Sequence, residues 1–202
     1  KNSWSFRTMS TVFEKVKLSK SDTPFTFPKY LTALDSFEFD GLEGKTNLRE
    51  MLDSSYTDAF VILKDSKIIF EEYQNEMKDN DLHLMNSVSK SFVGMLLGIL
   101  ENEAKLSTTD KVIKYIPELQ NSAFQETTIQ HALDMTAAVK FTEDYNDSTS
   151  EFWHEAAVVG WRPDLKSKVS TTNLLEFMTS LKETSQKEFE MFDYRTVLTN
   201  IL

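Results

Sequence analysis

The chain has 202 residues, enough for one substantial core. Its 40% hydrophobic and 12% aromatic content is an ordinary globular balance, and the lack of cysteine excludes disulfides, thiolate metal sites and a cysteine nucleophile. A net charge of −10 repels phosphate backbones and anionic bilayers, so nucleic acid is not an expected partner.

In chain order, residues 1–20 read as a peripheral arm or short helix, and DTPFTFP (22–28) as extended because of its prolines. NLREMLDS (47–54) has helical spacing at Leu48, Met51 and Leu52 behind an asparagine cap. AFVIL (59–63) and IIFEEY (68–73), separated only by KDSK, predict a β-hairpin. From Asn86 the pattern turns helical, with Phe92, Met95, Leu96, Ile99 and Leu100 forming the stripe expected to face the core. The apolar run 92–100 is too short to span a bilayer and contains two glycines. TTIQHALDM (127–135) reads as a capped helix. Residues 141–162 read as a polar loop turning helical near Phe152. TTNLLEFMTSL (171–181) predicts another helix, and YRTVLTNIL (194–202) begins one more. Strands first and helices later imply an α+β protein.

Chemistry concentrates in LMNSVSKSFVGMLLGIL (84–100). Positions three apart share a helix face, so Ser87 and Lys90 meet if a helix starts near Asn86. Unpaired N–H groups of a first turn favour a developing oxyanion. Packing by Val88, Phe92 and Val93 would desolvate the lysine, lower its pKa and make its amine a base for the serine hydroxyl. Spacing alone favours a plainer account, a serine at a helix start and a solvated lysine.

Context changes that balance. SVSKSFVGMLLGIL resembles the nucleophile helix of the serine β-lactamase and penicillin-binding-protein superfamily, which opens on Ser-x-x-Lys. FVILKDSKIIFEEY is similar to the hairpin before that helix. KLSTTDKVIKYIPEL, TTIQHALDMTAAVKFTEDY, EAAVVGW and FDYRTVLTNIL follow in the order found in the nylon-oligomer (aminohexanoate-dimer) hydrolase branch. The resemblance spans about residues 54–202 and implies a β-lactamase/transpeptidase-like α+β fold, an antiparallel sheet packed by helices plus a helical subdomain. On that reading 1–57 form an arm and short helix, 58–80 a hairpin of the sheet, and 81–202 the nucleophile helix and helical subdomain.

The same resemblance implies roles. Ser87 becomes the nucleophile, Lys90 its general-base partner, and Tyr194 in FDYRT a phenol that relays the proton to the leaving group. Thr196 stands where the superfamily's Tyr-x-Asn has asparagine, and Tyr145 in EDY lines up with a substrate-side loop tyrosine. Glu143 and Asp144 read as loop solvation. His83, His131 and His154 have no metal-ligand spacing, His131 reads as structural, and no metal or cofactor is expected. Ala137-Ala138 falls where relatives often carry Ser-Gly, so a positive φ needed at that turn would have to be made differently.

The implied activity is hydrolysis of a small amide or ester substrate through an acyl-serine: a linear amide, carboxylic ester, D-amino-acid peptide or β-lactam. The alternative is a non-catalytic binding module of the same fold. The superfamily's third motif, Lys or His followed by Thr or Ser and Gly, is not found, and Lys45-Thr46-Asn47 fits neither its composition nor its place. This chain is therefore expected to be the N-terminal part of a longer polypeptide, lacking the C-terminal sheet strands. Its first residue is Lys1, so processing or truncation is expected; cytoplasmic and exported locations both stay open, as does oligomeric state.

Overall fold

The computed structural model describes residues 3–168, 170–185 and 191–202. Lys1 and Asn2 of the expected arm lie outside them. The chain divides into two compact units, Lys1–Met85 and Asn86–Leu202.

The first unit opens with α1 (Ser3–Thr8), then a small hairpin of β1 (Glu38–Gly41) and β2 (Gly44–Asn47). Gly44 has φ of +119°, a conformation that a side chain would strain, and it lets the chain turn in two residues. The helix α2 (Leu48–Ser54) starts where the Asn47 cap predicts. Its Oδ1 accepts the Glu50 N–H at 3.0 Å, and the Glu50 carboxylate accepts the Asn47 N–H at 3.3 Å.

The main hairpin is β3 (Ala59–Lys64) against β4 (Lys67–Tyr73), antiparallel from Ala59↔Tyr73 to Lys64↔Lys67. The turn is tighter than the four residues expected. Asp65 and Ser66 both take positive φ, which lets two residues close the ladder with the right twist. The register shifts after Ile62, a bulge that bends the strand. Phe60, Ile62 and Phe70 face Leu48 and Leu52 of α2, whereas Val61 and Leu63 point outward and are exposed. Along β4, the expected extended segment meets the strand in parallel: the Ile68 N–H donates to the Pro28 carbonyl, and the Ile68 carbonyl accepts from the Tyr30 N–H.

The second unit has α3 (Ser89–Asn102), α4 (Ile129–Leu133), α5 (Glu151–Val158), α6 (Leu174–Ser180) and α7 (Thr196–Asn200). One continuous core joins Leu97 of α3 with Val112, Leu119, Phe124, Ile129, Ala132, Val139, Phe177, Met178, Val197, Leu198 and Ile201. Of the stripe expected to face the core, only Leu100 does so. Val93, Leu97 and Leu100 pack inward, while Phe92, Met95, Leu96 and Ile99 are all more than half exposed. The helix is apolar on both stripes, so periodicity marks a helix without selecting its buried side. No helix among the described residues is long and apolar enough to cross a membrane.

Candidate active site

The site lies wholly within the second unit. Before α3 the chain makes one tight turn, Asn86–Val88, and Asn86 adopts φ of +46°, a conformation that asparagine tolerates better than most residues. Its carbonyl accepts the Ser89 hydroxyl at 2.7 Å. Ser87 therefore sits on the turn leading into the helix rather than inside it, and no side chain caps the amino end of α3.

Lys90 Nζ lies 3.1 Å from Ser87 Oγ, as the three-residue spacing predicts. The expected apolar cover is absent: Val88 and Phe92 are exposed, and of the three residues proposed only Val93 shares the pocket with the amine. Lys90 is half-buried and Ser87 exposed. The amine stands 5.4 Å from the centre of the Tyr194 ring, within cation–π range. It faces the ring, and the Tyr194 hydroxyl is buried with no hydrogen-bond partner among the described residues.

Tyr194 is held by its neighbours. The buried Arg195 donates from Nη1 to the Ala137 carbonyl at 2.7 Å and from Nη2 to the Asp193 carboxylate at 2.7 Å, while the Asp193 N–H donates to the Met135 carbonyl. Ala137 and Ala138 are buried; the positive φ in this turn falls at Met135, +56°, two residues before the alanine pair.

A cavity of about 690 Å³ runs over this surface, lined by Ser87 and Lys90 together with Glu143, Tyr145, Glu155 and Thr196. Glu143 is not the solvated loop residue expected from sequence. It accepts the Tyr145 hydroxyl at 2.7 Å, the Thr196 hydroxyl at 2.8 Å and the Thr196 N–H at 2.6 Å, joining the loop tyrosine to the start of α7. Burial, then the bond to Glu143, pushes the Tyr145 phenol up to about 12.

Glu155, 2% exposed, enters the sequence only as half of His154-Glu155, which lacks the second histidine of a zinc motif, and is given no role there. Its Oε1 accepts an N–H of Asn200 at 2.8 Å, and its Oε2 has no partner among the described residues. Burial pushes its carboxyl up to about 7, opposed by the Asn200 bond and assisted by the charge of Glu143. His131 takes part in the cap of α4, and His83 lies in the first unit, 3.2 Å from Asp58.

Set beside known proteins, residues 46–183 match the Beta-lactamase family, a span that includes Ser87, Lys90, Glu143 and Tyr145 and ends before Tyr194. The chain belongs to the beta-lactamase family. It is 30% identical over 181 residues to the 6-aminohexanoate-dimer hydrolase of Paenarthrobacter ureafaciens, covering 90% of this chain and 44% of that protein. A solved Bacillus anthracis protein that bears a 6-aminohexanoate-dimer hydrolase name superimposes with a TM-score of 0.78 at 24% identity, over 98% of this chain and 52% of the other. These relatives bear out the resemblance to the nylon-oligomer branch and to its α+β fold. The chain spans about half the length of the relatives it matches.

Proposed function

We propose that the polypeptide carrying this chain is a serine hydrolase of amide or ester bonds, with Ser87 as nucleophile, Lys90 as its base and Tyr194 as the proton relay. The observation that carries the reading is the 3.1 Å contact between the Lys90 amine and the Ser87 hydroxyl at the mouth of a cavity large enough for a small substrate. Ser87 Oγ attacks the carbonyl carbon as its proton passes to Lys90 Nζ. The tetrahedral intermediate collapses, the C–N or C–O bond breaks, and the leaving amine or alcohol takes a proton by way of Tyr194. Water then cleaves the acyl-serine and restores the hydroxyl. Tyr145 and Thr196 are assigned to the substrate side of the cavity they line. The names of the relatives favour a linear amide as substrate.

Fluorophosphonate labelling of the full-length polypeptide tests this reading. The label is expected on Ser87, and Lys90→Ala is expected to slow it by about 10²–10⁴-fold, the usual contribution of a positioned base. Label on another residue, or none, overturns the hydrolase reading and leaves a binding module of the same fold.

A further inference from the structure

The hydrogen-bond polarity around Glu143 carries a consequence for substrate choice. A carboxylate only accepts, so the hydroxyl protons of Thr196 and Tyr145 are both directed at Glu143 Oε1. The Thr196 N–H, directed at Oε2, fixes the carboxylate from its other side. A hydroxyl has one proton and two lone pairs. With that proton committed, each oxygen can only accept from anything that enters the cavity. Asparagine at position 196 would offer a donor and an acceptor together; threonine tied to Glu143 does not. Partial desolvation of the Tyr145 hydroxyl and this same bond hold the phenol high although most of the side chain is exposed, so it keeps its proton and the polarity persists through neutral pH.

We propose that Glu143 is a specificity-determining residue: by taking the protons of Thr196 and Tyr145 it makes this wall an acceptor pair that selects acyl compounds bearing an N–H donor. The inference rests on the hydrolase reading and narrows its substrates to compounds with a secondary amide or amine nitrogen besides the reacting carbonyl. A site built to accept an N–H disfavours the analogue without one, because its own lone pairs lose their water and gain nothing. Tyr145 is more than half exposed, so the discrimination is expected to be about 10–10²-fold, below the limit for a sealed pocket.

The test uses the full-length polypeptide and pairs of p-nitrophenyl esters that differ only by N-methylation of an acetamido group on the acyl chain, over a series of chain lengths. The wild type is expected to favour the N–H member in kcat/KM by about 10–10²-fold at its best length. In Glu143→Gln the new amide can donate to both hydroxyls and turn their protons into the cavity, so the ratio is expected to fall to about unity or to invert. Thr196→Val removes one acceptor together with its hydroxyl bond to Glu143, keeps the backbone N–H bond, and decides the matter if the first variant does not fold; its ratio is expected to fall by about 3–10-fold. Equal rates for the two esters in a wild type that is labelled at Ser87, or a preference that survives in the folded variants, overturns the inference and leaves the hydrolase reading standing. Absence of both labelling and turnover overturns the two together.

Discussion

Among the described residues each unit buries one carboxylic acid beside polar partners, Asp58 in the first and Glu155 in the second, and the two behave in opposite ways. Asp58 in the first unit is opposed by burial but accepts from the Ser3 hydroxyl at 2.6 Å and the Asn75 amide at 2.8 Å, with His83 Nε2 at 3.2 Å. Those bonds outweigh burial and hold its carboxyl below the usual aspartate range. Glu155 in the second unit has one donor and an oxygen without any, and burial drives it up to about 7. Burial is therefore no guide to the charge of an acid; the number of donors aimed at its oxygens decides. An acid ringed by donors belongs to the scaffold. One left half-paired in a cavity wall keeps a proton that it can release near neutral pH.

The largest expected effect comes from removing the ionisation of Glu155. The folded carboxyl stands at about 7 against an ordinary 4.5, so between those values the folded chain holds a proton that the unfolded chain has released. The stability due to this group is complete below 4.5 and is lost as pH rises through about 7, in total about 3 kcal/mol. Urea midpoints measured from pH 4 to pH 8 should show that decline in the wild type, and Glu155→Gln should gain on it by that amount between pH 5 and pH 8. Parallel profiles would erase the contrast between the two acids.

Asp58 should respond with the opposite sign and more weakly. Its carboxylate contributes stability that is complete above the ordinary aspartate value and is lost as pH falls through its lower folded value. Asp58→Asn keeps Oδ1 as the acceptor for both Ser3 and Asn75 but removes the charge they bond and sets an NH2 against His83 Nε2, at a cost of about 1–3 kcal/mol at pH 6. Thermal unfolding at that pH checks it; an unchanged midpoint would mean that the Ser3 and Asn75 donors bond a neutral acceptor equally well.

How far the sequence discloses this depends on how local each feature is. The main hairpin is legible because alternating apolar residues flank a short polar turn, and the Ser87–Lys90 contact because three residues set it within a single helical turn. The β1–β2 hairpin escapes because EFDG and GKTN offer almost no apolar alternation. The buried side of α3 escapes because both of its stripes are apolar. Glu143 looks like a loop acid until Thr196, 53 positions along, delivers two donors to it. Glu155 and Asp58 differ only in partners brought from distant segments, Asn200 for one and Ser3, Asn75 and His83 for the other. Side chains paired by the backbone's own geometry can be read in advance; those paired by packing cannot.

The smallest effect concerns the helix caps, which carry the same contrast between the two units on a finer scale. In α2 the reciprocal acceptor is the carboxylate of Glu50. In α4, Thr128 Oγ1 accepts the His131 N–H at 3.0 Å, and His131 Nδ1 accepts the Thr128 N–H at 3.3 Å. A ring nitrogen accepts only while unprotonated, and burial lowers the pKa of His131, consistent with that role. The folded state then binds fewer protons than the unfolded one, so the contribution is complete above about 6.5 and is lost as pH falls through the folded value. His131→Gln keeps an acceptor suited to the same box. It should match the wild type at pH 7.5 and exceed it by about 0.5–1 kcal/mol at pH 5, a margin that Glu50→Gln in α2 should not reproduce. A pH-independent difference between wild type and His131→Gln would mean that the ring stabilises α4 through packing alone, and the two caps would then differ in shape rather than in proton chemistry.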